Sequence, residues 1–169
     1  MDTFWGPENP SEETMRRHAL NQLRQETGLN LTSLHGQPSR HCYLLGDAKN
    51  GCVVHLYTNK PNTRPGTHRI YYFGNSVEVW GLKRSFLILQ CGLDFTVIAP
   101  LDPLHPYSWN RWMNKMGSSQ SGTRLQQHIH WDGLGVRIKE KDFTATLSAL
   151  YGGENSHPGW VNSFGLLSE

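Results

Sequence analysis

The chain has 169 residues, of which 37% are hydrophobic, and carries a formal net charge of +2. That length and apolar content suffice for a folded core and exclude an intrinsically disordered chain; the mild positive charge, with no block of like residues, admits nucleic acid as a partner without a polybasic tail to bind it. No apolar run is long enough to span a membrane, no signal peptide is visible, and Cys42, Cys52 and Cys91 form no CxxC pair, so the expectation is a reducing, cytoplasmic setting away from membranes.

Residues 1–169 read as one domain, with an irregular segment over 1–10 and a docking tail over 153–169. Ser11 is placed to cap a helix that has Glu12 and Glu13 in its first turn and runs to about Thr27. Met15, Ala19 and Leu23 recur at i, i+4 and i+8 as its buried stripe, and Gly28 is placed to stop it. LNLTSL reads as a short strand. CYLLGD and CVVHLYT read as a hairpin around Asn50-Gly51. NKPNTRPGT (59–67) reads as a connecting loop.

The stretch from His68 to Pro100 organises the rest. RIYYF reads as a strand, SFLILQC as a buried central strand and DFTVIAP as its partner. Between the first two, NSVEVWGLK is expected to form a turn of helix. Ser108 to Met116 is expected as a short helix with an apolar face of Trp109, Trp112, Met113 and Met116. RLQQHIHWDG and GVRIKEKD read as paired strands, and Asp142 as the cap of a last helix over FTATLSALYG. Trp160, Phe164 and Leu166 would dock the tail. The sum is an α/β or α+β domain: a central mixed sheet with N-terminal and C-terminal helices.

Several patterns carry candidate chemistry. In a strand, His128 and His130 lie on one face, close enough to share one metal ion. Cys52 and His55, with His41-Cys42 across the hairpin, are a second histidine–cysteine grouping, read as packing because i and i+3 in a strand face opposite ways. Cations and rings also interleave. Arg64, Arg69, Lys83 and Arg84 surround strands carrying Tyr71 and Tyr72, the combination that meets phosphates and bases. No P-loop, dinucleotide fingerprint, GxSxG or HExxH occurs.

Three resemblances follow from these residues. The string Gln127-His128-Ile129-His130-Trp131 resembles the metal-binding strand of the α-carbonic anhydrases and implies a Zn²⁺ enzyme, although the third histidine's downstream pattern is missing. IYYFG (70–74) followed by LKR (82–84), with HLYTN (55–59) upstream, resembles the GIY-YIG nuclease motif, but Arg84 sits late and no later helix offers a suitable glutamate. Over about residues 11 to 105, the order helix, hairpin, RIYYFG, SFLILQCG and DFTVIAPLD resembles the core of the PD-(D/E)xK restriction-endonuclease-like superfamily.

That last resemblance implies a nuclease using Mg²⁺, with an acid on the first hairpin strand and an E-x-K unit on the second. The second strand here reads Val54-His55-Leu56-Tyr57, and Asp47 and Lys49 fall in the turn, so the candidate catalytic residues reduce to Glu13, Asp47 and Lys49. The expectation is a DNA-recognition domain of restriction or defence type with a degenerate or non-standard active site. Its nucleic-acid contacts would be Arg64, Arg69, Tyr72, Lys83, Arg84, His128 and His130. The alternatives are a zinc enzyme built on His128 and His130 and a protein-interaction module using Trp109 and Trp112.

Overall fold

The computed structural model describes residues 7, 9–34, 41–63, 69–73, 84–102, 104–105, 108–109, 127–131, 136–140, 143–146 and 160–168. Of these, residues 63, 127, 128, 130, 131, 136–140 and 143–146 enter through their backbone only. The chain opens with helix α1 (Glu12–Thr27). Its start is fixed by Ser11, whose side chain accepts a hydrogen bond from the Thr14 N–H at 3.1 Å. Its end is fixed by Gly28, whose φ of 70° lets its N–H close on the Arg24 carbonyl. Met15, Ala19 and Leu23 are its buried residues, as their spacing predicts.

Among the described residues ten strands follow: β1 (Leu31–Ser33), β2 (Cys42–Leu45), β3 (Cys52–Asn59), β4 (Asn62–Thr63), β5 (Arg69–Phe73), β6 (Ser85–Cys91), β7 (Phe95–Pro100), β8 (Gln127–Trp131), β9 (Val136–Glu140) and β10 (Phe143–Thr146). They form two sheets of five. The central sheet has the order β1-β2-β3-β6-β7 and the outer sheet the order β10-β9-β8-β5-β4. The central sheet is mixed, because β3 and β6 run parallel while its other pairs are antiparallel. The whole is α+β.

The layers are α1, the central sheet and the outer sheet. Strands β6 and β7 are buried at every residue, and their side chains divide by alternation. Phe86, Ile88 and Ile98 join Ala19, Leu23, Val54 and Leu56 in a core beneath the helix. Leu87, Leu89, Val97 and Ala99 join Tyr71, Phe73 and Ile129 of the outer sheet in a second core. The polar pair in these strands is satisfied internally, with the Thr96 hydroxyl donating to Gln90 Oε1 at 2.7 Å. Phe164 and Leu167, in a 3-10 turn over Phe164–Ser168, close the helix side. Trp160 is fully buried and stacks on Trp109 at 5.2 Å, and both are core residues.

Two expectations change, and one strand is placed whose partners the sequence left open. Strand β5 belongs to the outer sheet, where its partners are β4 and β8. The expected last helix over FTATLSALYG begins instead as β10, antiparallel to β9. The alternating Thr144 and Thr146 suit a strand, and β9 offers an open ladder for it. Within the expected loop 59–67, Asn62–Thr63 adds a short edge strand to β5. The expected helical turn at 75–81 and the helix beyond Trp109 lie outside the described residues.

Candidate nucleic-acid interface

The outer sheet has two unlike faces, and its register assigns residues to each. Directly opposed residues in an antiparallel ladder share a face. On the core side, Tyr71 opposes Ile129, which opposes Ile138, which opposes Ala145. That row is apolar throughout, and Tyr71 and Ile129 are fully buried. One residue along, Tyr72 opposes His128, His128 opposes Lys139, and Lys139 opposes Thr144. In the next row of this second face, Asn62 opposes Ile70, Ile70 opposes His130, His130 opposes Arg137, and Arg137 opposes Thr146.

Tyr72 is 45% exposed, which marks the second face as the open one. Neither row contains an acidic residue. The two histidines that sequence spacing places together are therefore joined by Tyr72, Arg137 and Lys139. The last two were missed by the sequence reading, although the alternation Val-Arg-Ile-Lys in a strand paired to β8 held the signal.

Of the cations expected to form the phosphate contacts, Arg69 and Arg84 do not share one surface. Arg69, expected among them, is 3% exposed; it lies on the core side of β5, where its Nη1 donates to both carboxylate oxygens of Asp94, at 3.0 and 2.8 Å. Tyr71 donates its hydroxyl to the same carboxylate, and burial first, then that carboxylate, pushes its pKa up. Asp94 is carried in the β6–β7 turn, where Gly92 has a φ of 56° and a Cβ would stand 3.3 Å from Asp94 Oδ2 and 3.1 Å from Pro61. Arg69, Tyr71 and Asp94 thus rivet the outer sheet to the central one. Arg69 is a structural residue, and its removal from the contact set is the main correction to the predicted site.

Arg84 is exposed, but it lies at the start of β6 on the helix side, where its guanidinium donates to the Leu167 carbonyl at 3.4 Å. It does not share the face that carries Tyr72. Arg64 and Lys83 lie outside the described residues.

The candidate catalytic residues are not brought together either. Helix α1 spans about 24 Å at ~1.5 Å per residue. Its start lies beside Thr58, Asn59 and Lys60 and its end beside Asn50 and Cys52. Glu13 therefore stands a helix length from the β2–β3 turn that carries Asp47 and Lys49. Glu13 accepts from Arg17 on the exposed helix face, and Asp47 accepts from the backbone N–H groups of Lys49 and Asn50 to fix its turn. The HLYTN and IYYFG segments fall in different sheets, so they do not pair as two halves of one motif.

Cys42 and His55 oppose each other across the hairpin, with Sγ 3.2 Å from Nδ1, in a fully buried position. Burial lowers the His55 pKa to about 4, which holds the ring neutral. Burial likewise raises the pKa of Cys52, with Arg84 opposing, and of Cys91, with Asp94 reinforcing. These are protonated, core thiols rather than nucleophiles. Among the described residues no three His, Cys, Asp or Glu side chains group as metal ligands. No helix among them is long and apolar enough to cross a membrane. Comparison with protein-family models, curated proteins and solved structures finds no match for this chain.

Proposed function

We propose that the chain is a DNA-recognition domain of restriction or defence type, and that it binds through the open face of the outer sheet. One observation carries this reading. The register places Tyr72, His128 and Lys139 in one row and His130 and Arg137 in the next, on the face opposite the buried Tyr71 and Ile129. Cations spaced along a sheet meet successive phosphates, and an exposed ring meets a base or sugar. Support for the restriction-type context comes from the order of a leading helix, an antiparallel hairpin and the strands β6 and β7 in one sheet. In that comparison the catalytic strand is β3, and its residues Val54, His55, Leu56 and Tyr57 supply no acid or lysine and are buried. The domain is therefore assigned recognition, without Mg²⁺-dependent cleavage.

The test is binding to labelled double- and single-stranded DNA at two salt concentrations, with and without Mg²⁺. Binding that weakens with salt and leaves the DNA intact is expected. Cleavage in Mg²⁺ would overturn the assignment of recognition alone. The zinc-enzyme alternative rests on the shared face of His128 and His130, and it predicts stoichiometric zinc that a His128→Ala/His130→Ala variant loses.

A further inference from the structure

The open face of the outer sheet is ordered in columns as well as in rows, because alternate residues of a strand share a face. On this face the register places Ile70 and Tyr72 on β5, His128 and His130 on β8, Arg137 and Lys139 on β9, and Thr144 and Thr146 on β10. Across the sheet the order is an apolar and aromatic column, an imidazole column, a cationic column and a hydroxyl column. The cationic column lies two strands from that of Tyr72, about 10 Å away at ~4.8 Å per strand. None of these positions is acidic.

Tyr72 is exposed on a strand that the fold already holds in place. Its neighbours Tyr71 and Phe73 are buried in the core between the two sheets. The side-chain amide of Asn59, on β3, donates to the Tyr72 carbonyl and ties this backbone to the central sheet. A ring presented on an ordered strand loses little freedom when a partner lies against it. The width of the sheet then separates duplex from single strand. At the row of Tyr72 four strands lie side by side, β5, β8, β9 and β10. Their three gaps span about 14 Å at ~4.8 Å each. The major groove of a DNA duplex is about 12 Å wide and admits a helix or a two-stranded ribbon, so this face is too wide to enter it. A duplex lying on the face offers Tyr72 only sugar and phosphate, since its bases are stacked on one another. A single strand can turn its bases to one side of its phosphates, and each unpaired base has an open π-face.

From this juxtaposition of an exposed ring and a parallel column of cations we propose that the open face binds single-stranded DNA. The strand lies along β9 and β5, with its phosphates over the column of Arg137 and Lys139 and a base stacked on Tyr72. His128 and His130 occupy the column between, under the path from phosphate to base. The inference rests on the DNA-binding reading above and narrows its partner to unpaired strand.

The experiment is fluorescence anisotropy of the full chain with three labelled probes at one salt concentration. The first is a mixed-sequence single strand of about 16 nucleotides, the upper end of single-strand site sizes. The second is the same strand annealed to its complement, and the third is a strand of equal length whose sugars carry no bases. The natural single strand is expected to bind tightest. Tyr72→Ala is expected to weaken that binding by about fivefold to a hundredfold, the range of one stacked base, and to leave duplex binding unchanged. Tyr72→Phe keeps the ring and is expected to keep the affinity. Duplex bound as tightly as the single strand, the baseless strand bound as tightly as the natural one, or Tyr72→Ala without effect on the single strand would overturn the proposal. Each of these outcomes leaves DNA binding itself standing. Failure of all three probes to bind would overturn the DNA-binding reading together with the inference.

Discussion

The central sheet and the outer sheet are built from strands of similar length, yet they treat their two faces differently. The central sheet is covered on both sides, by α1 and the terminal turn on one and by the outer sheet on the other, so β6 and β7 are buried at every residue and mostly apolar. Among the described residues, the outer sheet is covered on one side only. Its strand β5 alternates, with Tyr71 and Phe73 buried and Tyr72 exposed between them. In the central sheet, polar side chains such as Gln90 and His55 are enclosed and serve the fold. In the outer sheet, the same strand that buries Arg69 exposes Tyr72 three residues later. Cationic or aromatic character alone does not identify a binding residue here; the face it occupies does.

The largest way to test that contrast is at Arg69. Arg69→Ala should lower stability by about 3–5 kcal/mol, because it leaves Asp94 charged and buried without its ion-pair partner. Urea unfolding measures this, and an Arg69→Met/Asp94→Leu variant should recover much of the loss. A stable Arg69→Ala with weakened DNA binding would return Arg69 to the contact set.

Next in size is the acid response of His55. Its folded pKa, about 4, lies below the ordinary value of 6.5, so the unfolded chain takes up this proton first. The contribution is complete above about pH 6.5 and is lost as the pH falls towards about 4, reaching roughly 3 kcal/mol. Unfolding midpoints followed from pH 7 to 4.5 should fall more steeply in the wild type than in His55→Leu. Parallel curves would mean that this ring takes its proton without opposing the fold.

On the open face, Tyr72→Ala should weaken DNA binding by about 1–3 kcal/mol, the range of a stacked ring, and leave the salt dependence in place. Fluorescence anisotropy measures both, and a change confined to the salt slope would assign Tyr72 to the backbone instead. The smallest effect belongs to the exposed Arg16–Glu12 pair at 2.7 Å on α1. Arg16→Ala should change stability by less than ~1 kcal/mol in urea unfolding.

Local elements were legible in the sequence because their signals are local. Ser11, the Met15/Ala19/Leu23 stripe and Gly28 specify α1 within one segment, and Asn50-Gly51 specifies the β2–β3 hairpin. The partition into two sheets was not legible. It depends on β5 pairing with β8, more than fifty residues away, and each strand carries only its own alternation. Arg69 was misread for the same reason, since its burial is decided by Asp94, 25 residues distant. The segment at β10 carries apolar residues at helical spacing further along, while its own Thr-Ala-Thr alternation follows the ladder that β9 provides. Of the proposed interface, His128 and His130 were legible as a pair, and Tyr72 as a candidate contact. Arg137 and Lys139 emerged only when the β8–β9 register was known.

The most direct test of the open-face interface compares two charge-matched double variants by the slope of log binding constant against log salt concentration. Arg137→Ala/Lys139→Ala removes two cations from the open face, and Arg16→Ala/Arg17→Ala removes two from α1 in the opposite layer. The account predicts that the first lowers the magnitude of the slope by about 2, at ~0.9 per duplex phosphate contact, while the second leaves it unchanged. Equal slopes for the two variants, or a larger loss from the helix pair, would contradict the placement of the interface on the outer sheet.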